Sequence, residues 1–237
     1  MRAIINGSTG RMGKILADVI ARTEGIELAA GCAIDGDPLE QCDVPADVVI
    51  DFSHHASTKL LCDYCTERNL PLVVCATGQT EAEKEMLKEA SGKIPVFMSA
   101  NMSLGVAVLI DLVEKAARMF PEADIEIVEK HHNQKLDVPS GTALMLARAV
   151  KNAREDAEFV IGRHENGKRT KQEVGIHSLR MGSETGTHEV YIRTDNECLV
   201  LTHQAFQRAV FADGAVKAAF FLVKQKPGMY DMKDLEN

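Results

Sequence analysis

The sequence predicts an α/β protein with two parts: a parallel sheet covered by helices, and a smaller α+β part with a mixed or antiparallel sheet. Three observations support this fold class. Short apolar segments alternate with helical segments over the first hundred residues, a glycine-rich turn follows the first of them, and three strand-like segments occupy residues 173–205. The first part is expected to comprise residues 1–102 with a returning segment 209–237, and the second part residues 103–208.

Strands and helices alternate in the first half of the chain. The apolar segments are short and nearly continuous, which is typical of strands covered on both faces. The predicted strands are 2–6, 25–34, 47–52, 70–78 and 94–101, and the predicted helices are 14–23, 56–69 and 81–91. Ser53 or Ser57 is expected to cap the second helix. This order implies right-handed βαβ units and a parallel sheet.

The second half has a different pattern. Residues 123–132 alternate apolar and polar side chains, as in a strand with one covered face. Three closely spaced strands follow later, which favours an antiparallel or mixed sheet. The predicted helices are 103–120, 140–153 and 211–225, and the predicted strands are 123–132, 173–182, 187–195 and 197–205.

The composition argues against two classes of partner. The 237 residues carry a formal net charge of −8, whereas nucleic-acid-binding proteins are usually basic, so no nucleic-acid partner is expected. No apolar run reaches the roughly 18 residues that a membrane helix needs, so no membrane partner is expected. The amino-terminal segment lacks the pattern of a secretory signal, and the six cysteines are not spaced as a disulfide framework. A cytoplasmic location with free thiols is therefore expected.

A glycine-rich turn joins the first strand to the first helix. Its pattern over residues 7–13 is Gly-x-x-Gly-x-x-Gly, because Thr9 holds the second position of the common Gly-x-Gly-x-x-Gly. Glycines at a helix start let backbone N–H groups approach a pyrophosphate, and Arg11 adds a cation within reach of a phosphate. The turn predicts a Rossmann-like dinucleotide-binding domain whose cofactor contacts Gly7, Ser8, Thr9, Gly10, Arg11 and Met12.

The ends of other strands complete the predicted cofactor site. The segment after the second strand holds Ala33 and Asp35, either of which can occupy the selecting position, and it contains carboxylates but no arginine. An acid there binds the ribose hydroxyl of NAD, whereas an arginine accommodates the phosphate of NADP, so NADH is favoured over NADPH. Two further strand ends are expected at the same sheet edge, with the residues Cys75, Ala76, Thr77, Ser99, Ala100, Asn101 and Met102.

Proton-active groups are concentrated in residues 129–143, EKHHNQKLDVPSGTA. His131 and Lys135 lie in one irregular stretch after a strand, so both can face one cleft as proton donors. Ser140 is placed to cap the next helix, and a helix start of this kind attracts a carboxylate or phosphate. Ser140, Gly141 and Thr142 are therefore candidate anion-binding residues. No metal is expected at the His-His pair, because no cysteine or acid has supporting ligand spacing.

The sequence resembles the dihydrodipicolinate reductase family at these motifs. The most specific part is an eighteen-residue pattern that begins at Glu126, E-x-x-E-x-H-H-x-x-K-x-D-x-P-S-G-T-A. Other matching motifs fall in family order and cover nearly the whole chain: G-x-x-G-R-M-G, Asp51-Phe52-Ser53, Ala76-Thr77-Gly78, Asn101-Met102-Ser103 and R-x-x-F-A-x-G-A from Arg208. The chain departs from the usual family residues at His55, Cys75 and Met102, and the end of its second strand lacks the acidic register that the family pattern implies.

The resemblance implies an enzyme that uses NADH or NADPH to reduce 4-hydroxy-tetrahydrodipicolinate, a cyclic dicarboxylic imine, to tetrahydrodipicolinate in diaminopimelate and lysine biosynthesis. It also implies that residues 103–208 bind this substrate and assemble a homotetramer. By matching position, His131 is the catalytic proton donor or acceptor and Lys135 is the second proton donor. His132, Gly141 and Thr142 match substrate-binding positions.

Three alternative functions are compatible with parts of the sequence. Another nicotinamide-dependent dehydrogenase of similar layout would share the glycine turn but has no need of the 129–143 stretch. A non-catalytic dinucleotide-binding regulator would bind cofactor without turnover. A thiol redox protein is suggested by the C-x-x-C spacing of Cys62 and Cys65, but this motif lies late on a predicted helix, where thiolate activation is not favoured.

Overall fold

The structure is a computed structural model that describes residues 1–236, so Asn237, the last residue of the predicted segment 209–237, lies outside the described residues. The chain divides into two units. The first contains Met1–Ser103 and the segment from Arg208 onward, and the second contains Leu104–Gln207.

The first unit is a six-stranded, fully parallel sheet with helices. Its strands are β1 (Arg2–Asn6), β2 (Glu27–Cys32), β3 (Val48–Asp51), β4 (Leu72–Val74), β5 (Pro95–Met98) and β11 (Gly228–Tyr230). Its helices are α1 (Arg11–Arg22), α2 (Thr58–Arg68), α3 (Glu81–Ser91) and α6 (Ala209–Leu222). The strand order is β11-β5-β4-β3-β1-β2. The chain places β2 on one side of β1 and β3 on the other, so the strand order reverses between β1 and β3 while all strands stay parallel. Ligands of such sheets bind beyond the carboxyl ends of the strands at this reversal.

Apolar side chains cover both faces of the first sheet. Successive residues of a strand point to opposite faces, so Ile4 and Ile5 enter different layers. Ile4 belongs to a core cluster with Leu61 of α2 and Leu87 of α3. Phe97 of β5 is fully buried and makes an edge-to-face contact with Phe221 of α6. This two-sided burial is the reason the strands are continuously apolar.

The second unit is a five-stranded mixed sheet with two helices. Its strands are β6 (Asp124–His131), β7 (Glu158–Ile161), β8 (Glu173–Arg180), β9 (Gly186–Arg193) and β10 (Cys198–Ala205), and its helices are α4 (Leu104–Met119) and α5 (Gly141–Ala153). The order is β10-β9-β6-β8-β7, in which β6 is parallel to β8 and antiparallel to β9. The two helices pack on each other and share a core with Ile125, Ile127 and residues of the neighbouring strands.

The fold class predicted from the sequence is confirmed, with three local differences. Strands β7 and β11 were absent from the sequence prediction; both are edge strands of three or four residues. The third difference concerns the cap of α2: Ser57 holds the N-cap position, but its side chain makes no capping bond to any residue that the structure describes. A short 3₁₀ turn, His55–Ser57, precedes α2 instead, and the His54 ring accepts a hydrogen bond from the Ala56 N–H.

Candidate active site

The glycine turn lies at the strand-order reversal of the first unit, between β1 and α1. Gly7 has φ +85°, and a Cβ there would lie 2.8 Å from the Phe52 carbonyl and the Ser53 nitrogen, so any side chain would collide with the backbone that follows β3. A Cβ at Gly13 would lie 2.2 Å from the Gly7 carbonyl oxygen. Gly10 is the N-cap of α1 and supplies no side chain to cap it. The turn therefore presents backbone at a helix start, as a pyrophosphate requires.

A cleft of about 580 Å³ lies beside this turn, within the first unit. Its lining includes Gly7, Thr9 and Gly10 of the turn together with Ala33 and Asp35 of the segment after β2. The Thr9 hydroxyl donates a 2.7 Å hydrogen bond to the Asp35 carboxylate, which fixes that acid at the cleft. Ala33 is buried, and its N–H is bonded to the Asp37 carbonyl at 2.9 Å. The residues present thus fit the adenosine side of a dinucleotide, with Asp35 as the side chain available to a ribose hydroxyl.

The remaining predicted cofactor residues follow β4 and β5 at the same sheet edge. Cys75 and Ala76 are buried, Thr77 is exposed, and the Cys75 N–H donates to the Asp51 carbonyl at 2.9 Å. Burial raises the pKa of the Cys75 thiol well above its usual value, so the thiol is uncharged. Residues 99–103 form a tight turn closed by hydrogen bonds within the segment, in which Ala100 is exposed and Met102 is buried.

The second unit places His131 at the carboxyl end of β6. The strand alternates, so Ile125, Ile127, Glu129 and His131 all point to its covered face. Glu129 is fully buried, and its carboxylate lies 2.6 Å from Nδ1 of His131. Arg180, opposite His131 on β8, donates two hydrogen bonds to the same carboxylate, of 2.7 and 2.8 Å. This parallel fork is the strong geometry for an arginine and a carboxylate.

Lys135 lies in the turn after β6 and connects to the same cluster. Its N–H donates to the His132 carbonyl at 3.2 Å, and its ammonium lies 2.9 Å from the Asp137 carboxylate. Burial works against the charge of Asp137, but the bond to Lys135 outweighs it and lowers the pKa of this carboxyl. The Asp137 carbonyl accepts a 2.8 Å bond from Arg180. A chain of contacts therefore joins Lys135 to Glu129 and His131 through Arg180.

The start of α5 belongs to this cluster as well. Ser140 caps the helix by accepting a 3.2 Å bond from the Ala143 N–H, and its own N–H donates to Glu129 at 3.1 Å. Its hydroxyl lies 3.0 Å from Nε2 of His188, a residue of β9. Gly141 is exposed, with open space around its Cβ position, and Thr142 is buried in the first turn. The predicted proton donors and the predicted anion-binding residues thus share one network.

Two ionisation states define the electrostatics of this network. Burial alone would raise the pKa of Glu129, but the hydrogen bonds from His131 and Arg180 outweigh it and hold that pKa well below its usual range. Burial, together with the nearby His131, lowers the pKa of His188 to about 3. At neutral pH the network therefore contains a carboxylate at Glu129 and an uncharged imidazole at His188.

The sequence did not reveal three residues of this cluster, namely Arg180, His188 and Gly186. They lie on β8 and β9 and reach the site only through strand pairing, for which no local pattern exists. Glu129 belongs to the sequence motif, but the motif alone predicted no function for it. The sequence does contain a signal for Glu129, because it falls on the same covered face of the strand as Ile125 and Ile127. A carboxylate on a covered face requires hydrogen-bonding partners.

Other candidate chemistry is not supported by the geometry. Among the described residues, no group of three or more His, Cys, Asp or Glu side chains is arranged to hold a metal ion. Cys62 and Cys65 are both buried, and burial raises the pKa of Cys62 to about 11 and that of Cys65 further, so neither thiol is activated. No helix in residues 1–236 combines the length and apolar character that crossing a bilayer demands.

A parallel-sheet unit with a dinucleotide-type glycine turn, combined with a second unit that carries buried proton-active groups, defines the class of nicotinamide-dependent oxidoreductases. Models of one family in this class match almost the whole chain: the amino-terminal model of dihydrodipicolinate reductase matches residues 1–102, and its carboxy-terminal model matches residues 105–235. The chain belongs to the dihydrodipicolinate reductase family.

Named relatives agree with this assignment. A 4-hydroxy-tetrahydrodipicolinate reductase of Caldanaerobacter subterraneus subsp. tengcongensis is 44% identical over 245 residues, covering 99% of this chain and 98% of that protein. One from Clostridium tetani is 42% identical over 250 residues, covering 100% and 97%. A solved dipicolinate-bound dihydrodipicolinate reductase from Paenisporosarcina sp. TG-14 has the same fold, with a TM-score of 0.80 at 23% identity, covering 99% of this chain and 98% of that one.

Proposed function

We propose that this chain catalyses the NAD(P)H-dependent reduction of 4-hydroxy-tetrahydrodipicolinate to tetrahydrodipicolinate in diaminopimelate and lysine biosynthesis. The observation that carries the proposal is the single network that joins His131, Lys135 and the start of α5. A reaction on a dicarboxylic imine needs both a proton source and a carboxylate-binding site, and this network contains candidates for both. Family membership supplies the substrate class.

Two groups of residues have different roles in this proposal. The 4-hydroxyl and an adjacent ring hydrogen of the substrate would leave as water, which gives the conjugated imine. The nicotinamide, when bound, would then supply a hydride to that imine. Negative charge then develops on the substrate, and His131 and Lys135 are the groups proposed to stabilise it and deliver a proton. Ser140, Gly141 and Thr142 at the start of α5 are proposed to hold one substrate carboxylate, with His132 beside them.

An activity assay tests the proposal directly. The purified chain is expected to oxidise NADH in the presence of the cyclic imine. The control replaces the imine with a keto acid and ammonia. Turnover with the keto acid and none with the imine would identify an amino-acid dehydrogenase instead, and cofactor binding without turnover on either would indicate a regulator.

The cofactor preference follows from the segment after β2. We propose that NADH is used at least as well as NADPH, because Asp35 is held at the cleft by Thr9 and the acids Asp37 and Glu40 lie nearby in the sequence. These charges would repel a 2′-phosphate, and Asp35 can accept a hydrogen bond from a 2′-hydroxyl. The measurement is kcat/KM for both cofactors. Asp35→Asn should raise the NADPH-to-NADH ratio about two- to fivefold, the size of one exposed charge interaction; an unchanged ratio would contradict the role of Asp35.

We also propose a homotetramer and a cytoplasmic location. Exposed apolar side chains on the two edge strands of the second sheet, Phe159 and Ile161 of β7 and Leu199 and Val200 of β10, support self-association through those edges. The six cysteines, all within the described residues, are free thiols, which suits a reducing compartment. Light scattering of the purified protein measures the assembly mass.

A further inference from the structure

Glu129 accepts four hydrogen bonds that join three separate segments of the second unit. It is fully buried, and each partner is a donor: Nδ1 of His131, two nitrogens of Arg180 and the N–H of Ser140. Arg180 already balances its charge. The contacts to His131 and Ser140 therefore orient these residues and are not needed to balance the charge of Glu129. They join the proposed proton donor to the proposed anion-binding helix start.

The contact between Glu129 and His131 determines which ring nitrogen is available. A carboxylate held ionised by its partners can only accept hydrogen bonds, so Nδ1 of His131 must carry the hydrogen. The proton that His131 exchanges is therefore on Nε2. Gly186 leaves space beside Nε2. A Cβ at this position would lie only 3.0 Å from Nε2, and glycine has no Cβ.

The neighbouring His188 does not compete for this proton. Its ring meets that of His131 edge-to-face, with centroids 5.2 Å apart, and its Nε2 lies beside the Ser140 hydroxyl. It is uncharged at neutral pH for the reasons given above. In this edge-to-face pair, His131 contacts the Glu129 carboxylate, whereas His188 contacts the Ser140 hydroxyl, so Glu129 orients the His131 ring.

The same carboxylate also fixes the start of α5. One oxygen, Oε1, accepts the Ser140 N–H, and the Ser140 hydroxyl caps the helix through Ala143. Rotating the Glu129 side chain would release His131 and Ser140 together. Glu129 therefore links the proton donor directly to the helix start through one side chain.

We propose that Glu129, anchored by Arg180, is a positioning residue that fixes the Nδ1–H form of His131 and holds it in register with the start of α5. This inference rests on the proposed function, in which His131 exchanges a proton with the substrate. Glu129 itself does not touch the substrate. Its role is to present Nε2 of His131, and not Nδ1, at a fixed distance from the carboxylate-binding site.

The decisive variant is Glu129→Gln, which keeps the shape of the side chain but cannot accept hydrogen bonds from all four surrounding donors. Every partner of Glu129 is a donor, so the amide NH₂ must face either His131 or Ser140. We expect kcat to fall about 10- to 100-fold and KM for the imine to rise, while KM for NADH stays unchanged because the glycine turn is untouched. Wild-type values of both kcat and imine KM would overturn the proposal.

A matched control lies on the opposite face of the same strand. Glu126 contacts His177 at 2.8 Å and Arg169 at 3.0 Å, so it forms a second Glu–His–Arg cluster that is partly exposed and makes no contact with His131 in the network above. Glu126→Gln should leave kcat and both KM values within twofold of the wild type. An equal loss in both variants would show a general effect on the sheet and would contradict a specific role for Glu129.

The pH profile supplies a readout that a purely structural residue would not move. The hydrogen bond from His131 lowers the pKa of Glu129, so the two groups are electrostatically coupled. Glu129→Gln removes this coupling, and the basic limb of the kcat–pH profile should move about one pH unit or more to lower pH. An unmoved limb would overturn the electrostatic part of the proposal. The titratable and charged groups around His131 are Glu129 on β6, Arg180 on β8, His188 on β9, and Lys135 and Asp137 in the turn after β6.

A spectroscopic test is independent of turnover. In ¹⁵N-labelled protein, the His131 ring should show a protonated Nδ1 in the wild type and a mixed or Nε2–H form in Glu129→Gln. If the wild type fails to reduce the imine but shows this signature, the proposed function fails while the positioning geometry stands. If Glu129→Gln does not fold, Arg180→Lys is the second variant, because it removes the bidentate fork. It should show a smaller change of the same kind in the His131 ring spectrum and in kcat. Wild-type spectra and kinetics in Arg180→Lys would overturn the proposal.

Discussion

Replacing His131 with alanine is expected to lower kcat by about 10²-fold or more, the usual contribution of a general acid. The residue is nearly buried, is oriented through Nδ1, and leaves Nε2 as the atom that can exchange a proton. Removing the imidazole takes away this group without disturbing the glycine turn of the first unit. The loss should therefore appear in kcat with imine and should leave the affinity for NADH unchanged.

Replacing Lys135 with alanine should produce a loss of the same order, since it removes the second proposed proton donor. The side chain is about one-fifth exposed, and its ammonium lies 2.9 Å from the Asp137 carboxylate. The ammonium is therefore held in a defined position and partly desolvated. Steady-state kinetics with imine and NADH measure both effects. Two residues of one exposed loop are the controls: His164→Ala and Lys168→Ala remove the same side-chain types and should retain wild-type turnover. Wild-type kcat in either His131→Ala or Lys135→Ala would contradict the assigned role of that residue.

The elements that the sequence predicted best are those whose ends are encoded locally. Helix α3 was predicted at 81–91 and is observed at Glu81–Ser91. Thr80 and Glu83 form a reciprocal capping box at its start, and Gly92 follows its last residue. Strand β1 likewise matches residues 2–6, since an apolar segment ends directly at the glycine turn.

The elements that the sequence did not predict depend on partners elsewhere in the chain. Within residues 1–236, strand β7 pairs with β8 alone and β11 pairs with β5 alone, so both form because a sheet edge accepts them. Their sequences are short and partly exposed, and they lack the buried alternation that identifies a central strand. Tertiary pairing, rather than local propensity, determines these segments.

The same distinction applies to the candidate site. His131, Lys135 and Ser140 lie within ten residues of one another, so their spacing alone suggested a shared cleft. Arg180 is 51 residues from the Glu129 that it contacts, and His188 is 48 residues from Ser140. These residues reach the site through the β6–β8 and β6–β9 pairings. A linear motif can therefore identify the groups that do the chemistry, but it does not identify the groups that orient them.

A second large effect is expected at Gly214, in the middle of α6. In an exposed helix interior, alanine is more favourable than glycine by about 1 kcal/mol. Here the sign should reverse, because a Cβ at Gly214 would lie 1.7 Å from the carbonyl oxygen of Met102 and 2.8 Å from its carbonyl carbon. Both atoms are backbone, so no side chain can rotate away. Either α6 or the turn of residues 99–103 must move.

Gly214→Ala is therefore expected to lower the free energy of unfolding by about 3 kcal/mol or more, at the upper end of overpacking substitutions, because the neighbouring Ala215 and Ala218 are fully buried and leave no slack. Urea denaturation measures the midpoint and slope. Gly167→Ala is the control, since nothing lies within 4 Å of its Cβ position and its stability should stay within about 0.5 kcal/mol of the wild type. A Gly214→Ala variant as stable as the wild type would mean that α6 does not approach Met102 this closely. The close approach therefore explains why the chain accepts a glycine, with its poor helix propensity, inside a buried helix.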